Sequence, residues 1–225
     1  MDNLMEEIAK LLEGQFIVFD GPDGSGKSTQ INRFVQRYRE LGLVVSEVRE
    51  PGGSSIGEQV RNILLNPQND EMTLKCEMLL YMASRAQLVE QEIKPAMERG
   101  ELVVADRFVS ATLAYQGTAG GLPIEWIQQV AEVAVAGCWP SLTLILDVDD
   151  ETAAGRLNPL LDRMELKGKE FHAKVREGFL EQARMWPDRY CVIDASTDEN
   201  TVANGVQFAL EQRFFRKKSE KVKNS

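Results

Sequence analysis

The sequence has few of the features that build disulfide frameworks, metal clusters or membrane spans. Its three cysteines, Cys76, Cys138 and Cys191, are far apart and form no C-x-x-C pair. Neither a disulfide framework nor a zinc site is therefore expected, and a reducing, cytoplasmic compartment fits. The single histidine is His172, which we expect to be structural or exposed. No run of 18 apolar residues occurs, so no membrane span is expected.

Positive charge is also in short supply. The 225 residues include 26 lysines and arginines against 35 aspartates and glutamates, for a net charge of -9. Such a chain should not bind nucleic acid or anionic membranes non-specifically, so we expect neither as a partner. Any phosphate site must concentrate its cations locally.

The chain length suits one large domain. Residues 1–14 mix four acidic residues with apolar ones, which predicts an amphipathic N-terminal extension and not a signal peptide. Residues 15–214 are expected to form the single domain, and residues 215–225 a solvated basic tail.

Short apolar runs alternate with helical patterns along this domain. Buried strands are predicted at 16–19, 43–48, 102–105, 142–146 and 190–193. Helices are predicted at 28–41, 73–99, 126–136, 169–186 and 202–214. This alternation predicts an α/β fold, a three-layer sandwich with a five-stranded parallel sheet flanked by helices. Ligands bind such sheets beyond the carboxyl ends of the strands, where Asp20, Asp106 and Asp147 stand.

Residues 21–28 match the motif G-x-x-x-x-G-K-[ST], which binds nucleotide phosphates. The motif follows a predicted strand and opens a predicted helix, as phosphate binding by backbone N–H groups at a helix N-terminus requires. Lys27 would reach the β- and γ-phosphates, and the Ser28 hydroxyl would ligate Mg²⁺. The expected ATP-binding residues are Gly21, Asp23, Gly24, Ser25, Gly26, Lys27, Ser28 and Thr29. No Asn-Lys-x-Asp element occurs, so nothing favours a GTPase.

Four further segments, at 49–53, 80–87, 106–108 and 114–117, resemble bacterial thymidylate kinase in order and spacing when taken with 21–29. The resemblance covers residues 15–214. It implies the P-loop NTPase type of α/β fold, phosphorylation of dTMP to dTDP with ATP and Mg²⁺, and a homodimer.

The resemblance also implies roles around the base and sugar of the acceptor. Tyr81 would stack on the thymine ring, Arg85 would donate to its O4, and Thr112 would meet N3. Asp23 would accept from the 3′-hydroxyl, and Tyr115 would crowd C2′ and disfavour ribose. Gln116, in the last matching segment, is a further expected substrate-binding residue.

Other matches concern the phosphate and the metal. Arg107 matches the arginine on the acceptor phosphate, and Arg49 and Glu50 match the loop beside that phosphate and its Mg²⁺. Asp106 would help to hold the metal through water, so Ser28, Asp106 and Glu50 are the expected metal-site residues.

The acceptor phosphate needs no general base, since its second pKa of about 6 leaves it mostly ionised at neutral pH. Catalysis must then come from positioning and from cations around the transferring group. The expected catalytic residues are Lys27, Arg107, Arg156 and Arg163, of which Arg156 and Arg163 belong to a short lid at 155–168.

Two departures from the family pattern leave alternatives open. Ala111 stands where the family usually has serine, with Ser110 just before it, which motivates a related kinase for another deoxynucleotide or a deoxynucleoside. The lid lacks the expected central arginines, which motivates a non-catalytic nucleotide-binding module.

Overall fold

The computed structural model describes residues 2–156 and 163–223 of the chain. Residues 157–162 of the predicted lid lie outside the described residues. Within these residues, no helix has the length and apolarity needed to cross a bilayer.

The strands form one parallel sheet. In chain order they are β1 Phe16–Asp20, β2 Val45–Arg49, β3 Leu102–Asp106, β4 Leu142–Asp147 and β5 Tyr190–Asp194. Within the described residues the order across this five-stranded sheet is β2-β3-β1-β4-β5, with every pair parallel. The predicted fold class and all five strands are confirmed, with β2 beginning two residues later than its apolar run.

One helix precedes the first strand, one follows the last, and the others lie between strands along the chain. They are α1 Asp2–Leu12, α2 Lys27–Glu40, α3 Ser55–Leu65, α4 Leu74–Leu88, α5 Lys94–Glu98, α6 Val109–Thr112, α7 Ile124–Val135, α8 Asp150–Arg156, α9 Lys169–Met185 and α10 Glu199–Lys223. The described residues also include π-helical segments at Val89–Ile93 and Leu113–Ala119 and a 3₁₀ turn at Glu165–Lys167.

The core lies on both faces of the sheet. One apolar cluster joins α1, α2 and α10 to the sheet, and another joins α4, α5 and α7 to it. The predicted N-terminal extension is α1, whose Ile8 and Leu12 are fully buried in the first cluster. At the other end, α10 passes the predicted helix end at residue 214 and runs to Lys223.

One long helix was predicted at 73–99, and the structure corrects it. Thr73 caps α4 as expected, its side chain accepting from the N–H of Cys76. The helix then widens into the π-helical segment Val89–Ile93 before α5, which has Pro95 in its first turn. Proline cannot donate to the carbonyl four residues back and its ring crowds that carbonyl, so a regular α-helix cannot pass through this position undisturbed.

Register brings the carboxyl ends of the central strands together. Asp106 of β3 lies opposite Phe19 of β1 on one side and Arg49 of β2 on the other. Asp20, at the end of β1, pairs with Ile145 of β4. The loops after these strands therefore open on the same edge of the sheet.

Candidate active site

The loop between β1 and α2 depends on glycine at several positions. Gly26 precedes α2 in a left-handed conformation, with φ of 82°. At Gly21 and Gly24 φ is 136° and 77°, and a Cβ would collide with the backbone of Leu146 and Ala153 respectively. Only glycine meets both demands. The loop thus takes the predicted course, with the N-terminus of α2 open to an anion.

The Lys27 ammonium is buried inside this loop. Its Nζ donates to the carbonyl oxygens of Gly21 at 3.1 Å and Pro22 at 2.8 Å, and to Ser25 Oγ at 3.4 Å. Burial, followed by the charge of Arg107, lowers the pKa of Lys27 to about 8 against the pull of nearby carboxylates. A polyanion in the loop would oppose that shift.

Arg107 links the ends of β1 and β3 to the loop. Its φ is 71°, and its N–H donates to the carbonyl of Phe19 at 2.9 Å. Its Nη1 donates to Asp20 Oδ1 at 3.2 Å and to the carbonyl of Gly21 at 3.0 Å. Its Nη2 donates to Asp23. The guanidinium is thus held by groups from β1 and from the loop after it.

Asp23 also receives the Tyr115 hydroxyl, at 2.7 Å. The Arg107 guanidinium lies 5.2 Å from the centroid of the Tyr115 ring. Burial alone would raise the pKa of Asp23, but the charges of Arg107 and Lys27 and the Tyr115 hydrogen bond hold it below its usual value. The Asp23 carboxylate therefore accepts hydrogen bonds from both Arg107 and Tyr115.

Asp20 explains where Ser110 points. Its buried carboxylate accepts from Ser110 Oγ at 2.6 Å and from the N–H of Gly21 at 2.9 Å. Burial raises the pKa of Asp20, against the opposing charge of Arg107. The Ser110 hydroxyl is thus hydrogen-bonded to Asp20, whereas Ala111 lines the cavity described below. Ser110 does not replace the serine that the family usually has at the position of Ala111.

Arg85 and Glu50 form a buried ion pair. Arg85 is 1% exposed, its Nε lies 2.8 Å from Glu50 Oε2, and its Nη2 lies 2.5 Å from the same oxygen. Nη2 also donates to Thr112 Oγ1 at 3.2 Å, and the guanidinium lies 5.2 Å from the Phe108 ring centroid. Burial raises the pKa of Glu50 to about 7, against the attraction of Arg85. Tyr81 stands one turn earlier on α4.

Two arginines flank the loop at 49–53. Arg49 Nη2 lies 3.1 Å from Glu58 in an exposed ion pair. Arg61 Nη1 donates to the carbonyl of Pro51 at 2.8 Å. Arg49 was predicted from the sequence, whereas Arg61 was missed because nothing in the local sequence distinguishes it from a surface arginine of α3.

These groups open on one cavity of about 500 Å³. The predicted site residues that line it are Asp23, Gly24, Gly26, Lys27, Ser28, Thr29, Arg49, Glu50, Tyr81, Arg85, Asp106, Arg107, Thr112, Tyr115 and Gln116. Gly21, Ser25, Arg156 and Arg163 are not among the lining residues. Met164 and Glu165 line the cavity without having been predicted.

The two lid arginines have different partners. Arg156 Nη1 donates to the carbonyl of Ala195 at 3.0 Å and lies 4.0 Å from where a Cβ on Gly26 would be. Arg163 is buried, and its Nη2 lies 2.5 Å from Glu77 Oε2. Arg156 therefore adjoins the phosphate-binding loop, whereas Arg163 is engaged with α4.

The residues present fit a magnesium ion that relies on few protein ligands. Within the described residues, no cluster of three or more His, Cys, Asp or Glu residues could hold a metal. Asp106 Oδ1 is buried and has no hydrogen-bond partner among the residues at 2–156 and 163–223, and Asp106 and Ser28 both line the cavity. Mg²⁺ commonly uses one or two protein oxygens and completes its shell with water and phosphate, so an orphaned carboxylate oxygen suits it.

Comparison with known proteins gives the family of this chain. A family model described as thymidylate kinase matches residues 19–206. The chain is 44% identical to the thymidylate kinase of Symbiobacterium thermophilum, over 88% of this chain and 92% of the relative. It is 41% identical to that of Deinococcus radiodurans, over 89% and 98% of the two chains.

A solved structure, the thymidylate kinase of Ehrlichia chaffeensis, matches with a TM-score of 0.72 and 31% identity. The match covers 88% of this chain and 99% of that one. The family model, the sequence identities and the fold thus agree, and the chain belongs to the thymidylate kinase family.

Proposed function

We propose that this chain transfers the γ-phosphoryl group of ATP to dTMP and yields ADP and dTDP. One observation carries the proposal. A single cavity is lined both by the phosphate-binding loop and by the Tyr81–Arg85 face of α4, together with Arg107. A kinase for a mononucleotide needs a polyphosphate site and a base site that share one space.

The donor side of the cavity is the loop at 21–29. The N-terminus of α2 supplies partial positive charge, and Lys27 Nζ already lies within hydrogen-bond distance of the loop's own carbonyls. Bound phosphate would draw this ammonium toward the β- and γ-oxygens. Gly21, Gly24 and Gly26 let the backbone approach the phosphates.

The acceptor side recognises a pyrimidine deoxynucleotide. Tyr81 would stack on the base, while Arg85 and Thr112, already hydrogen-bonded to each other, would meet its polar edge. Tyr115 would crowd C2′, and its hydroxyl partner Asp23 would accept from the 3′-hydroxyl. Arg49 and Arg107 would hold the phosphate.

The reaction is a direct displacement. An oxygen of the dTMP phosphate forms a bond to the γ-phosphorus, and the bond to the bridging β–γ oxygen breaks, its electron pair leaving with ADP. No proton has to move, since the attacking oxygen is already ionised. The chain's contribution is to place two anions together and to stabilise the charge between them with Lys27 and Arg107.

Magnesium would be held by Ser28 and, through water, by Asp106, with Glu50 near it. When bound, the ion neutralises charge on the β- and γ-phosphates. Glu50 forms an ion pair with Arg85 in this structure, so it would have to keep that contact while lying near the metal. Arg156 and Arg163 remain the candidate lid cations, and Arg163 would have to leave Glu77 to reach the γ-phosphate.

We further propose a cytoplasmic enzyme that acts as a homodimer and has no nucleic-acid or membrane partner. The three cysteines are free thiols in the structure, which suits a reducing compartment. On α7, Val133 is 81% exposed and Trp126 is also exposed. These side chains offer an apolar surface for a second copy.

The test is an acceptor panel with ATP and Mg²⁺. dTMP, dUMP, dCMP, CMP and thymidine are supplied separately, and ADP and the phosphorylated product are both quantified. We expect dTMP to have the highest kcat/KM. Faster turnover of dUMP or CMP would reject the acceptor assignment, and tight ATP binding without turnover on any acceptor would reject the reaction.

A kinase for another deoxynucleotide is the second candidate, and Ala111 favours it. A methyl group lines the cavity where the family usually has a hydroxyl, and Ser110 is engaged with Asp20. The variant Ala111→Ser would then change the ratio of kcat/KM between dTMP and dUMP. An unchanged ratio removes this reason for a different acceptor.

A further inference from the structure

Glu77 is a buried carboxylate to which no role in the reaction has yet been given. It stands in the first turn of α4, is 1% exposed and accepts from three side chains. Gln116 Nε2 donates to it at 2.7 Å, Arg163 Nη2 at 2.5 Å, and Lys167 Nζ at 3.3 Å. Two cations and one amide thus compensate a charge that would be costly to bury alone.

The three donors come from two different parts of the molecule. Gln116 belongs to the π-helical segment Leu113–Ala119 and lines the cavity. Arg163 and Lys167 lie in the segment at 163–167, whose Met164 and Glu165 line the same cavity. Glu77 itself does not line the cavity, so it acts on the site only through these partners.

Arg163 ties its segment to α3 as well. Its Nε donates to the carbonyl of Leu64 at 2.7 Å, and its backbone N–H donates to the carbonyl of Leu65 at 3.3 Å. Leu65 is another lining residue. The segment at 163–167 is therefore fixed to α3 through the Leu64 and Leu65 carbonyls and to α4 through the Glu77 carboxylate.

The chemistry of Glu77 also fixes the Gln116 amide. An ionised carboxylate only accepts hydrogen bonds, so Gln116 must turn its NH₂ group toward it. The amide oxygen is then the end of Gln116 left for a ligand. A neutral amide at position 77 could donate as well as accept, and would permit the opposite orientation of Gln116.

We propose that Glu77 is a positioning residue for the acceptor pocket. It orients Gln116 so that the amide oxygen, and not the NH₂ group, faces the polar edge of the acceptor's base, and it holds the segment at 163–167 against that pocket through Arg163 and Lys167. The proposal rests on the proposed function, since it concerns the same pyrimidine acceptor.

The first experiment is steady-state kinetics of Glu77→Gln with dTMP and ATP. The amide at position 77 can donate a hydrogen bond and carries no charge, so it should no longer hold Gln116, Arg163 and Lys167 in place. We expect the KM for dTMP to rise by about tenfold or more while kcat stays within about threefold, which is the pattern of lost ground-state binding. The KM for ATP should stay within about twofold of wild type. An unchanged KM for dTMP in folded protein overturns the proposal.

The matched control is Glu101→Gln. Glu101 precedes β3 at the opposite end of the sheet and pairs with Arg99 at 2.6 Å and with Ser46. It is another glutamate with an ion pair and a hydrogen bond, but no cavity residue depends on it. We expect its KM values to match wild type. If this control shifts the KM for dTMP equally, the effect of Glu77→Gln is general and the proposal fails.

A double-mutant cycle separates positioning from stability. With Gln116→Ala in place, Glu77→Gln should change the KM for dTMP by only about threefold, because the amide to be oriented is gone and only the contacts with Arg163 and Lys167 remain to be lost. Full additivity of the two effects overturns the proposed link to Gln116. Thermal unfolding of each variant, recorded in parallel, reports the stability change separately.

Two further variants test the other side of the cluster and remain useful if Glu77→Gln does not fold. Lys167→Met, at a partly exposed position, should raise the KM for dTMP by about threefold. Arg163→Met should also raise this KM, and only its KM tests the coupling, because Arg163 is also a candidate catalytic cation whose loss would act on kcat. Unchanged dTMP KM values in both variants overturn the coupling.

Wild-type kinetics keep the two proposals apart. If wild type prefers another pyrimidine nucleotide, the assignment of dTMP fails and the same cycle is measured with that acceptor. If wild type turns over dTMP and the cycle is additive, only the role of Glu77 fails.

Discussion

Arg107 illustrates how a single residue organises this site. A positive φ is uncommon for a side chain of this size, yet it aims the guanidinium of Arg107 at both Asp20 and Asp23. Burial alone would lower the pKa of Arg107, but Tyr115, Asp23 and Asp20 together hold it well above its ordinary value. A guanidinium that is always charged and already held in position can bind one phosphate and reduce its repulsion from a second phosphate beside it.

We expect Arg107→Ala to reduce kcat/KM for dTMP by about 10²–10³-fold, the effect of removing one preorganised donor for transition-state charge. The measurement is steady-state kinetics with far-UV circular dichroism to check the fold. The exposed Arg99→Ala, at the other end of β3, is the control and should match wild type. Near-wild-type kcat/KM in Arg107→Ala would refute the role of this residue.

Lys27 gives the site a pH dependence. Its pKa of about 8 in the folded chain lies below the ordinary value of 10.5. Between these values the unfolded chain holds a proton that the folded chain lacks, so this group's contribution to the free energy of unfolding rises with pH across that window. Below about pH 8 both states are protonated and the contribution is constant.

ATP binding should therefore take up a proton at pH 9, because polyphosphate favours the ammonium form of Lys27. Calorimetry of ATP binding in two buffers of different ionisation enthalpy measures this uptake. We expect up to about one proton at pH 9 and much less at pH 7. Lys27→Met should remove the difference, and wild type without uptake at pH 9 would contradict the prediction.

At the scale of elements, the site depends on how closely α9 approaches the π-helical segment Leu113–Ala119. Gly178 of α9 makes this approach possible. A Cβ there would lie 2.9 Å from side-chain atoms of Thr118 and 3.1 Å from the Cα of Ala114. The neighbouring Tyr115 packs against Phe179, with ring centroids 6.2 Å apart. The position of α9 thus influences a residue of the proposed acceptor pocket.

Gly178→Ala should lower the free energy of unfolding by about 1–3 kcal/mol through overpacking and should raise the KM for dTMP. Urea unfolding and steady-state kinetics measure the two effects. Gly155→Ala is the matched control, since Gly155 is also helical but an added Cβ there would have no atom of the described residues within 4 Å. It should be neutral or stabilising, as expected for alanine in a helix. Equal stability of the two variants would contradict this account.

At the scale of the whole molecule, α7 and α4 present exposed apolar side chains. Val133 and Trp126 on α7 and Leu79 on α4 are all exposed. Apolar groups on neighbouring helices form a surface of the kind used between copies of a chain. This observation supports the homodimer that the family resemblance implies.

Sedimentation should give a dimer for wild type, and Val133→Lys should shift the protein toward monomer because it places a charge within an apolar contact. Phe208→Lys replaces another exposed apolar residue, on α10, and should remain a dimer. A monomeric wild type, or equal dissociation of both variants, would exclude this surface as the interface.

Features encoded in neighbouring residues were predictable from the sequence. Short apolar runs predicted the five strands. The spacing of the glycines at 21–26 predicted the phosphate-binding loop, because its backbone conformation is one that only glycine adopts readily. The π-helical segment at Val89–Ile93 was missed because a helical apolar pattern continues across it, although Pro95 marks the place where a regular helix cannot continue.

The sequence by itself determined the sheet, the nucleotide-binding loop and the candidate cations, because backbone preference and hydrophobic periodicity act over a few residues. Only the tertiary structure decided that Arg85 pairs with Glu50, that Ser110 serves Asp20, and that Arg163 is joined to Glu77, 86 positions away. Which buried charges neutralise one another depends on the packing of distant elements, and that packing has no local signature in the chain.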